Sequence, residues 1–333
     1  MNRPIVYYGE KECEVVYEVS KKSKKSNQKE LKSVKCKNGA YFTMIGKEGT
    51  TIFACGLHSN RCAARVKLPE NPNKAQNQQD AIAELKISAE LGMTQNIELC
   101  KKGDVVVTKL YMMQKPEYIK GYLTVFPNFK HGSRVDGMGL PALSPKNIGP
   151  IVHWMPNLPP SKNLENFHQF AKVFSSEIDA RGNVTKEAIE ERISAYEDDI
   201  PHRHKPAAGK KEVNGNKNIP LFSVFYDKKG NEHRYTYLEC RWFYCYHYEK
   251  HVSTKREFLR LKNMINEGWN LNISGYDGYN VMMTPLQHYM DTSKPFGHEL
   301  VLYCMLVIEN SNEYPWNIYY EQNKNKYIHL FFY

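Results

Sequence analysis

Apolar and polar positions recur along this chain at spacings that separate helix from strand. Short β-rich runs at 41–45 and 51–55 flank a Lys-Glu-Gly turn and predict a hairpin. Ile82, Leu85 and Ala89 then fall on one helical face between an Asp80 cap and Gly92, which is read as the helix end. Strands are expected within 105–113 and 122–129. The text from 129 to 160 turns to Gly, Pro, Ser and Asn but keeps Leu, Ile and Trp, as an ordered, functional loop does. A helix over 163–174 follows: Pro159-Pro160 bars an earlier start and Asn163 is a good N-cap. At about 100° per residue, Phe167, Phe170, Ala171 and Phe174 share one face and Glu165, Gln169 and Lys172 the other.

Further along, Thr185 caps a helix with Ile189, Ile193 and Tyr196 on one side, and 221–226 alternates as a strand. The aromatic stretch 237–251 reads as helix. Thr254-Lys-Arg-Glu257 has the spacing of a capping box, with Phe258, Leu261 and Ile265 as the buried stripe and Gly268 as the stop. A buried strand at 271–274 leads into the turn Gly275-Tyr-Asp277-Gly-Tyr279, and the apolar run 300–308 belongs to a core. The pattern predicts an α+β fold. An N-terminal α+β module spans 1–118 and a second domain 119–333.

Length and composition then adjust this picture. The chain has 333 residues, which suits about two domains. Residues 19–35 are polar and lysine-rich and read as a mobile surface loop, and 206–218 reads as a flexible basic insertion. The net charge of +10 favours anionic partners, nucleic acid among them, although charge also serves solubility alone. No apolar run is long enough for a bilayer, so no membrane partner is expected. With no signal sequence at Met1, the eight cysteines are expected to be reduced thiols in an intracellular protein. Cys55 and Cys62, with His58 between them, lack the paired spacing of a zinc site.

Periodicity leaves two readings of the 163–174 helix open. Its polar face is either solvated surface or one wall of a cleft covered by the preceding loop, with Glu165 in the first turn where the helix dipole favours negative charge. Asp277 has two readings as well: Asp-Gly is what a tight turn demands, and a turn directly after a buried strand often borders a ligand crevice. His298-Glu299 beside Gly297 serves either as a helix cap or in a site. Glu249 is left with Arg241 or Lys250 as a partner.

The stretch Asn163-Leu-Glu-Asn-Phe-His-Gln-Phe-Ala-Lys-Val-Phe174 resembles the signature helix of the NADAR (NAD- and ADP-ribose-associated) family, roughly Val-Glu-His-Tyr-x-Gln-x-x-Lys-x-Phe. Upstream, Leu143-Ser144 with Gly149-Pro150-Ile151 is similar to the family's Leu-Ser-Asn-Phe segment. Downstream, Asp291-Thr-Ser-Lys-Pro-Phe-Gly297 is similar to its Asp-x-x-Trp-Gly, and the apolar run matches its closing helix. Val125-Phe-Pro-Asn-Phe-Lys130, Pro201-His-Arg-His-Lys205 and Gly275-Tyr-Asp-Gly-Tyr279 look like phrases of members from large DNA viruses and phages. Asn166 stands where the family usually has His, and Phe296 where it has Trp.

The resemblance implies a mostly helical catalytic core with small β elements and cleavage of a ribose–nitrogen bond, with no metal or cofactor. Glu165 and Lys172 would be catalytic. Gln169, His168, Asn166, Ser144, Asp291 and Gly297 would bind an ADP-ribose or nucleotide-like ligand. Lys130, Arg203 and Lys205 would meet phosphates. Two other functions fit the same residues: a viral structural or nucleic-acid-binding protein, and a reader that holds ADP-ribose without cleaving it. The oligomeric state is left open.

Overall fold

The computed structural model of the chain describes residues 16–22, 29–35, 40, 42–45, 51–54, 66–68, 74–112, 114–205 and 219–331. The fold is α+β. Two compact units part between Ala81 and Ile82.

In the first unit, β1 (Val16–Lys22) and β2 (Lys29–Lys35) pair antiparallel, from Val16 opposite Lys35 to Lys22 opposite Lys29. The lysine-rich segment read as a loop is therefore strand over 19–22 and 29–35. A ladder is built from backbone N–H and C=O groups, so polar side chains do not prevent it. The expected hairpin forms from β3 (Phe42–Ile45) and β4 (Thr51–Ala54), and β5 (Val66–Lys67) adds to the other edge of β3. The Cys55-to-Cys62 segment and the 206–218 insertion lie outside the described residues.

Helix α1 (Lys74–Glu98) crosses the division between the units and is longer than the sequence suggested. Asp80 does not cap it, and Gly92 does not end it. Gly92 instead lies where a Cβ would stand 2.2 Å from the Gly121 carbonyl oxygen, so close backbone approach, not termination, calls for glycine there.

The second unit is organised by a four-stranded parallel sheet. Strands β6 (Val105–Lys109), β7 (Tyr122–Phe126) and β8 (Met138–Gly139) combine with β12 (Asn270–Gly275) in the order β6-β12-β7-β8. Strand β6, which the sequence reading placed in the N-terminal module, thus pairs inside this unit with Leu271 opposite Val105. Five of the six residues of β12 are buried, as suits a parallel strand covered on both faces. Its polar Asn272 is satisfied within the sheet: Thr108 Oγ1 donates to Asn272 Oδ1 (2.9 Å), and Asn272 Nδ2 donates to the Glu117 carbonyl (3.0 Å).

A shorter antiparallel sheet holds the motif helix. Helix α2 covers only Leu164–Gln169, with Asn163 Oδ1 accepting the Asn166 N–H as an N-cap. It stops because Lys172–Val173 becomes strand β9, pairing with β10 (Phe222–Tyr226), which in turn pairs with β11 (Glu232–Tyr235). Tertiary pairing has overridden the helical periodicity that ran on to Phe174. The apolar set Phe167, Phe170, Ala171 and Phe174 is nevertheless buried in full.

Helix α3 (Lys186–Glu197) follows, capped by Thr185 as expected. The aromatic helix α4 (Tyr237–Val252) has buried residues around most of its circumference, so it lies inside the unit. Phe243 stacks on Phe225 of β10 with ring centroids 3.7 Å apart. Glu249 accepts from Trp316 Nε1 (2.6 Å) rather than pairing with Arg241, whose guanidinium donates to the backbone carbonyls of Tyr289, Asp291 and Lys294.

Helix α5 (Arg256–Asn266) buries Phe258, Leu261 and Ile265 as expected, but its N-cap is Lys255 without a side-chain bond, so no box forms at Thr254. Capping boxes form instead at Thr236 with Glu239, and at Thr284 with Gln287 before α6 (Pro285–Met290). Helix α7 (His298–Val307) supplies the apolar run to the core, and α8 (Pro315–Gln322) packs against α4.

Two stability outcomes follow. Gly92→Ala in a helix interior would ordinarily stabilise by about 0.5–1 kcal/mol. Here the Gly121 carbonyl blocks the methyl, so urea denaturation is expected to show a loss of roughly 1–3 kcal/mol. His247 is 2 % exposed, neither ring nitrogen has a hydrogen-bond partner among the described residues, and burial pulls it down to about 3. The unfolded chain therefore takes up a proton below about 6.5 that the folded chain refuses until about 3. Stability conferred by the neutral ring is complete above the unfolded value and declines between these limits by up to about 1.4 kcal/mol per pH unit. His247→Phe is expected to flatten the acid side of the stability–pH curve, measured by thermal unfolding from neutral pH downwards.

Candidate functional site

The parallel strands β6, β12 and β7 end on one edge of their sheet, where loops of open α/β sheets commonly bind ligands. At that edge Asn128 Nδ2 donates to the Ser274 carbonyl (3.0 Å), and His298 Nε2 contacts the Pro127 carbonyl (3.0 Å). The chain leaves β12 through a turn in which the Gly278 N–H donates to the Gly275 carbonyl, and this turn presents Asp277.

Helix α2 and strand β9 supply the second group of polar side chains. One turn of helix brings Gln169 over Glu165, and Gln169 Nε2 donates to Glu165 Oε1 (3.1 Å). Lys172, three residues on and already in strand conformation, donates from Nζ to Gln169 Oε1 (3.0 Å). An amide thus bridges carboxylate and amine, accepting from one and donating to the other. All three side chains are partly buried.

The Lys172 amine is held below the ordinary lysine range. Burial is the main cause. The nearby positive charge of Arg203 also lowers it, while Cys240, Glu165 and Asp277 act in the opposite direction. Asp277 is therefore within electrostatic reach of the same amine that Gln169 holds, and this joins the strand-end turn to the α2 group. Partial desolvation of this kind makes a lysine amine available as a nucleophile at lower pH. His168 packs its ring against Tyr244 with centroids 4.9 Å apart, and burial, then the charge of Lys172, holds it well below the ordinary histidine range. It is a neutral imidazole here. Burial, then Glu165, pushes the Tyr244 phenol well up.

The other sequence-selected residues have different surroundings. Asn166 is fully buried and points away from this group: its Nδ2 reaches the carbonyls of Ala195 (2.8 Å), Asp198 (3.2 Å) and Ile200 (3.0 Å), and its Oδ1 accepts the His202 N–H (2.7 Å). It clamps the end of α3 to α2. Ser144 is buried and caps the short turn of helix Pro145–Asn147. Asp291 follows α6, accepts from the Ser293 N–H and hydroxyl, and is influenced by Lys294 and Arg241. Gly297 is the N-cap of α7, where a Cβ would come within 2.8 Å of the Asp277 Cβ and 2.9 Å of Glu299 Oε2. Lys130, Arg203 and Lys205 are exposed.

Sequence reasoning left Asp277 between a tight-turn role and a crevice role and did not single out Tyr244 or Cys240, which the fold brings into the electrostatic surroundings of Glu165 and Lys172. Asp277 carried a legible signal, a Gly-x-Asp-Gly turn directly after a buried strand. Tyr244 and Cys240 sit on an all-round apolar helix, where periodicity singles out no face. Elsewhere in the unit, Glu177, Glu191 and His204 bring potential metal-ligating atoms within 4.8 Å of one another. Both carboxylate oxygens of Glu177 are already engaged, one by the Phe174 N–H (2.7 Å) and one by His204 Nε2 (2.6 Å). A hollow lined by Met93, Ile97, Lys101 and Glu267 lies at the opposite, amino-terminal edge of the parallel sheet.

No protein-family model, curated protein or solved structure matches the chain.

Asn166→Ala removes a buried clamp and leaves the His202 amide and three carbonyls short of a partner. Chemical denaturation is expected to report a loss of roughly 1–3 kcal/mol. A ligand contact at this position would show the converse, weaker ligand binding at unchanged stability.

Proposed function

We propose that this chain is an N-glycosidase that hydrolyses the bond between the anomeric carbon of a ribose and a base nitrogen, with an ADP-ribosyl group as the sugar side. The carrying observation is the Glu165–Gln169–Lys172 chain of hydrogen bonds ending on a partly desolvated amine. The resemblance of this segment to the NADAR signature supports the same reading.

Cleavage moves the electron pair of the C1′–N bond onto the base, which takes up a proton, and positive charge develops at C1′ and the ring oxygen. A carboxylate beside that centre stabilises it, the role of Glu165. Neutral Lys172 Nζ forms the new bond to C1′. Opening of the ring leaves a Schiff base, and water then cleaves it to regenerate the amine and release ADP-ribose. Gln169 holds carboxylate and amine in register, His168 offers a neutral ring, and Asp277 is better placed than Asp291 to receive ribose hydroxyls near the amine. Arg203, exposed and within electrostatic reach of Lys172, suits the pyrophosphate, with Lys205 exposed two residues further on.

The test is release of free ADP-ribose from ADP-ribosylated DNA by the purified chain, with borohydride added in a parallel reaction. Lys172→Ala and Glu165→Ala are each expected to slow release by about 10²–10⁴-fold. Borohydride is expected to fix the sugar on the peptide containing Lys172. Because the neutral amine is the reactive form and its titration lies below the ordinary lysine value, the rate is expected to climb with pH through that depressed value and then level off. Lys172→Arg, charged throughout, is expected to be inactive. Tight binding of ADP-ribose without release would identify a reader instead. Release at an unchanged rate by both alanine variants would move the active site elsewhere.

A further inference from the structure

Glu299 is fully buried on the first turn of α7, and the reaction outlined above does not use it. Its carboxyl fills the space beside Gly275, where a Cβ would meet Oε1 at 1.9 Å, and beside Gly297, where a Cβ would meet Oε2 at 2.9 Å. The Asp277 N–H donates to Oε1 (3.4 Å), while Oε2 has no well-formed hydrogen bond. Among the described residues, the titratable groups that interact with it electrostatically are His298 on its own helix, Asp277 on the turn after β12, and Tyr244 and Tyr248 on α4.

The geometry of His298 bears on the proton. Its Nε2 lies 3.0 Å from the Pro127 carbonyl, which can only accept, so Nε2 carries hydrogen. In a neutral ring, Nδ1 is then a bare acceptor, and it stands 3.2 Å from Glu299 Oε2. The contact is too poorly aligned to count as a hydrogen bond as it stands, and a proton on the carboxyl would relieve the repulsion between the two acceptors. With Asp277 adjacent and the carboxyl wholly desolvated, a proton on Glu299 avoids placing two negative carboxylates together. Burial first, and Asp277 as well, push the Glu299 carboxyl up, against a downward pull from His298.

We propose that Glu299 is a positioning residue: it is held as a neutral carboxylic acid, accepts the Asp277 amide on one oxygen, directs its proton toward His298 from the other, and thereby fixes the Asp277 turn where its carboxylate acts on Lys172. The final link rests on the proposed active site; the protonation and the positioning do not.

Glutamine is the discriminating substitution, because its oxygen keeps the Asp277 contact and its amide N–H faces His298 Nδ1 as the acid proton does. Glu299→Gln is expected to unfold at a temperature close to wild type, whereas an imidazolium–carboxylate pair would be broken by it and the protein markedly destabilised, which overturns the neutral acid. Infrared spectra at mildly acidic pH, above the ordinary glutamate range of about 4.3, are expected to show a protonated-carboxyl band that disappears in Glu299→Gln. Its absence from the wild type also overturns the assignment. Positioning is read at Lys172 by mass-spectrometric mapping of reductive methylation across pH. The Glu299→Gln profile is expected to match wild type, and that of Glu299→Ala to move to lower pH as the attraction of Asp277 is lost. A Glu299→Ala protein that unfolds cooperatively with an unshifted Lys172 profile removes the positioning role. A wild type that neither releases nor binds ADP-ribose removes the glycosidase and leaves these readouts intact.

Discussion

The parallel pairing of strand β12 with β6 on one side and β7 on the other is the constraint from which the second unit follows. It joins segments more than 140 residues apart in sequence, so neither flank is stable until the chain between them has folded back. Burial of β12 forces its polar residues to find partners inside, and Asn272 does so with Thr108 and the Glu117 carbonyl. Because all three strands run the same way, their loops gather at a single edge. The turn carrying Asp277, the Pro127-Asn128 segment and the start of α7 are brought together by that geometry alone.

The proposed chemistry depends on a balance at one amine. Burial withdraws water from Lys172 and Arg203 repels its charge, while Glu165 and Asp277 restore part of what is lost. A fully paired lysine would stay charged and inert, and a fully desolvated one would leave its donors unsatisfied. The Gln169 carbonyl resolves this conflict, since it accepts from Nζ while carrying no charge of its own. Strand β9 matters for the same reason. Had the helix continued to Phe174, Lys172 would project from a helical turn; pairing with Ser223 fixes it on the buried margin of a sheet.

Much of this was legible in the sequence where local physics decides. The Asn163 and Thr185 caps, the stripe of α5, the hairpin at 42–54 and the core run of α7 all follow from capping chemistry and periodicity. Failures occurred where a distant segment competes. The helical period through Phe174 lost to strand pairing, and Gly92 read as a stop although Gly121 is what requires it; at Thr254 the expected box is absent simply because the helix starts one residue later. The candidate site divides along the same line. The Glu165, Gln169 and Lys172 spacing is local and could be read directly. Asn166 was expected at a ligand because it occupies the family's His position; its bonds to the Ala195, Asp198 and Ile200 carbonyls depend on how α3 folds back on α2, which local spacing does not reveal.

The glycines at 275 and 297 show how closely fold and site are joined. Neither has a backbone conformation that demands glycine; the Glu299 carboxyl occupies the volume a side chain at 275 would need, and at 297 that volume is taken by Asp277 together with Glu299. A buried acid is costly to retain, and an apolar residue on the first turn of α7 would pack against the two glycines without the burial penalty of a carboxyl. Such a residue would leave the Asp277 amide without its acceptor and Nδ1 of His298 facing hydrocarbon. The turn would keep its Gly278-to-Gly275 hydrogen bond and the Leu110 N–H on the Gly275 carbonyl, but would lose the contact that holds the Asp277 amide itself. Glu299 and the two glycines therefore form one device, in which backbone space is given up so that a proton can be kept where it holds a carboxylate still.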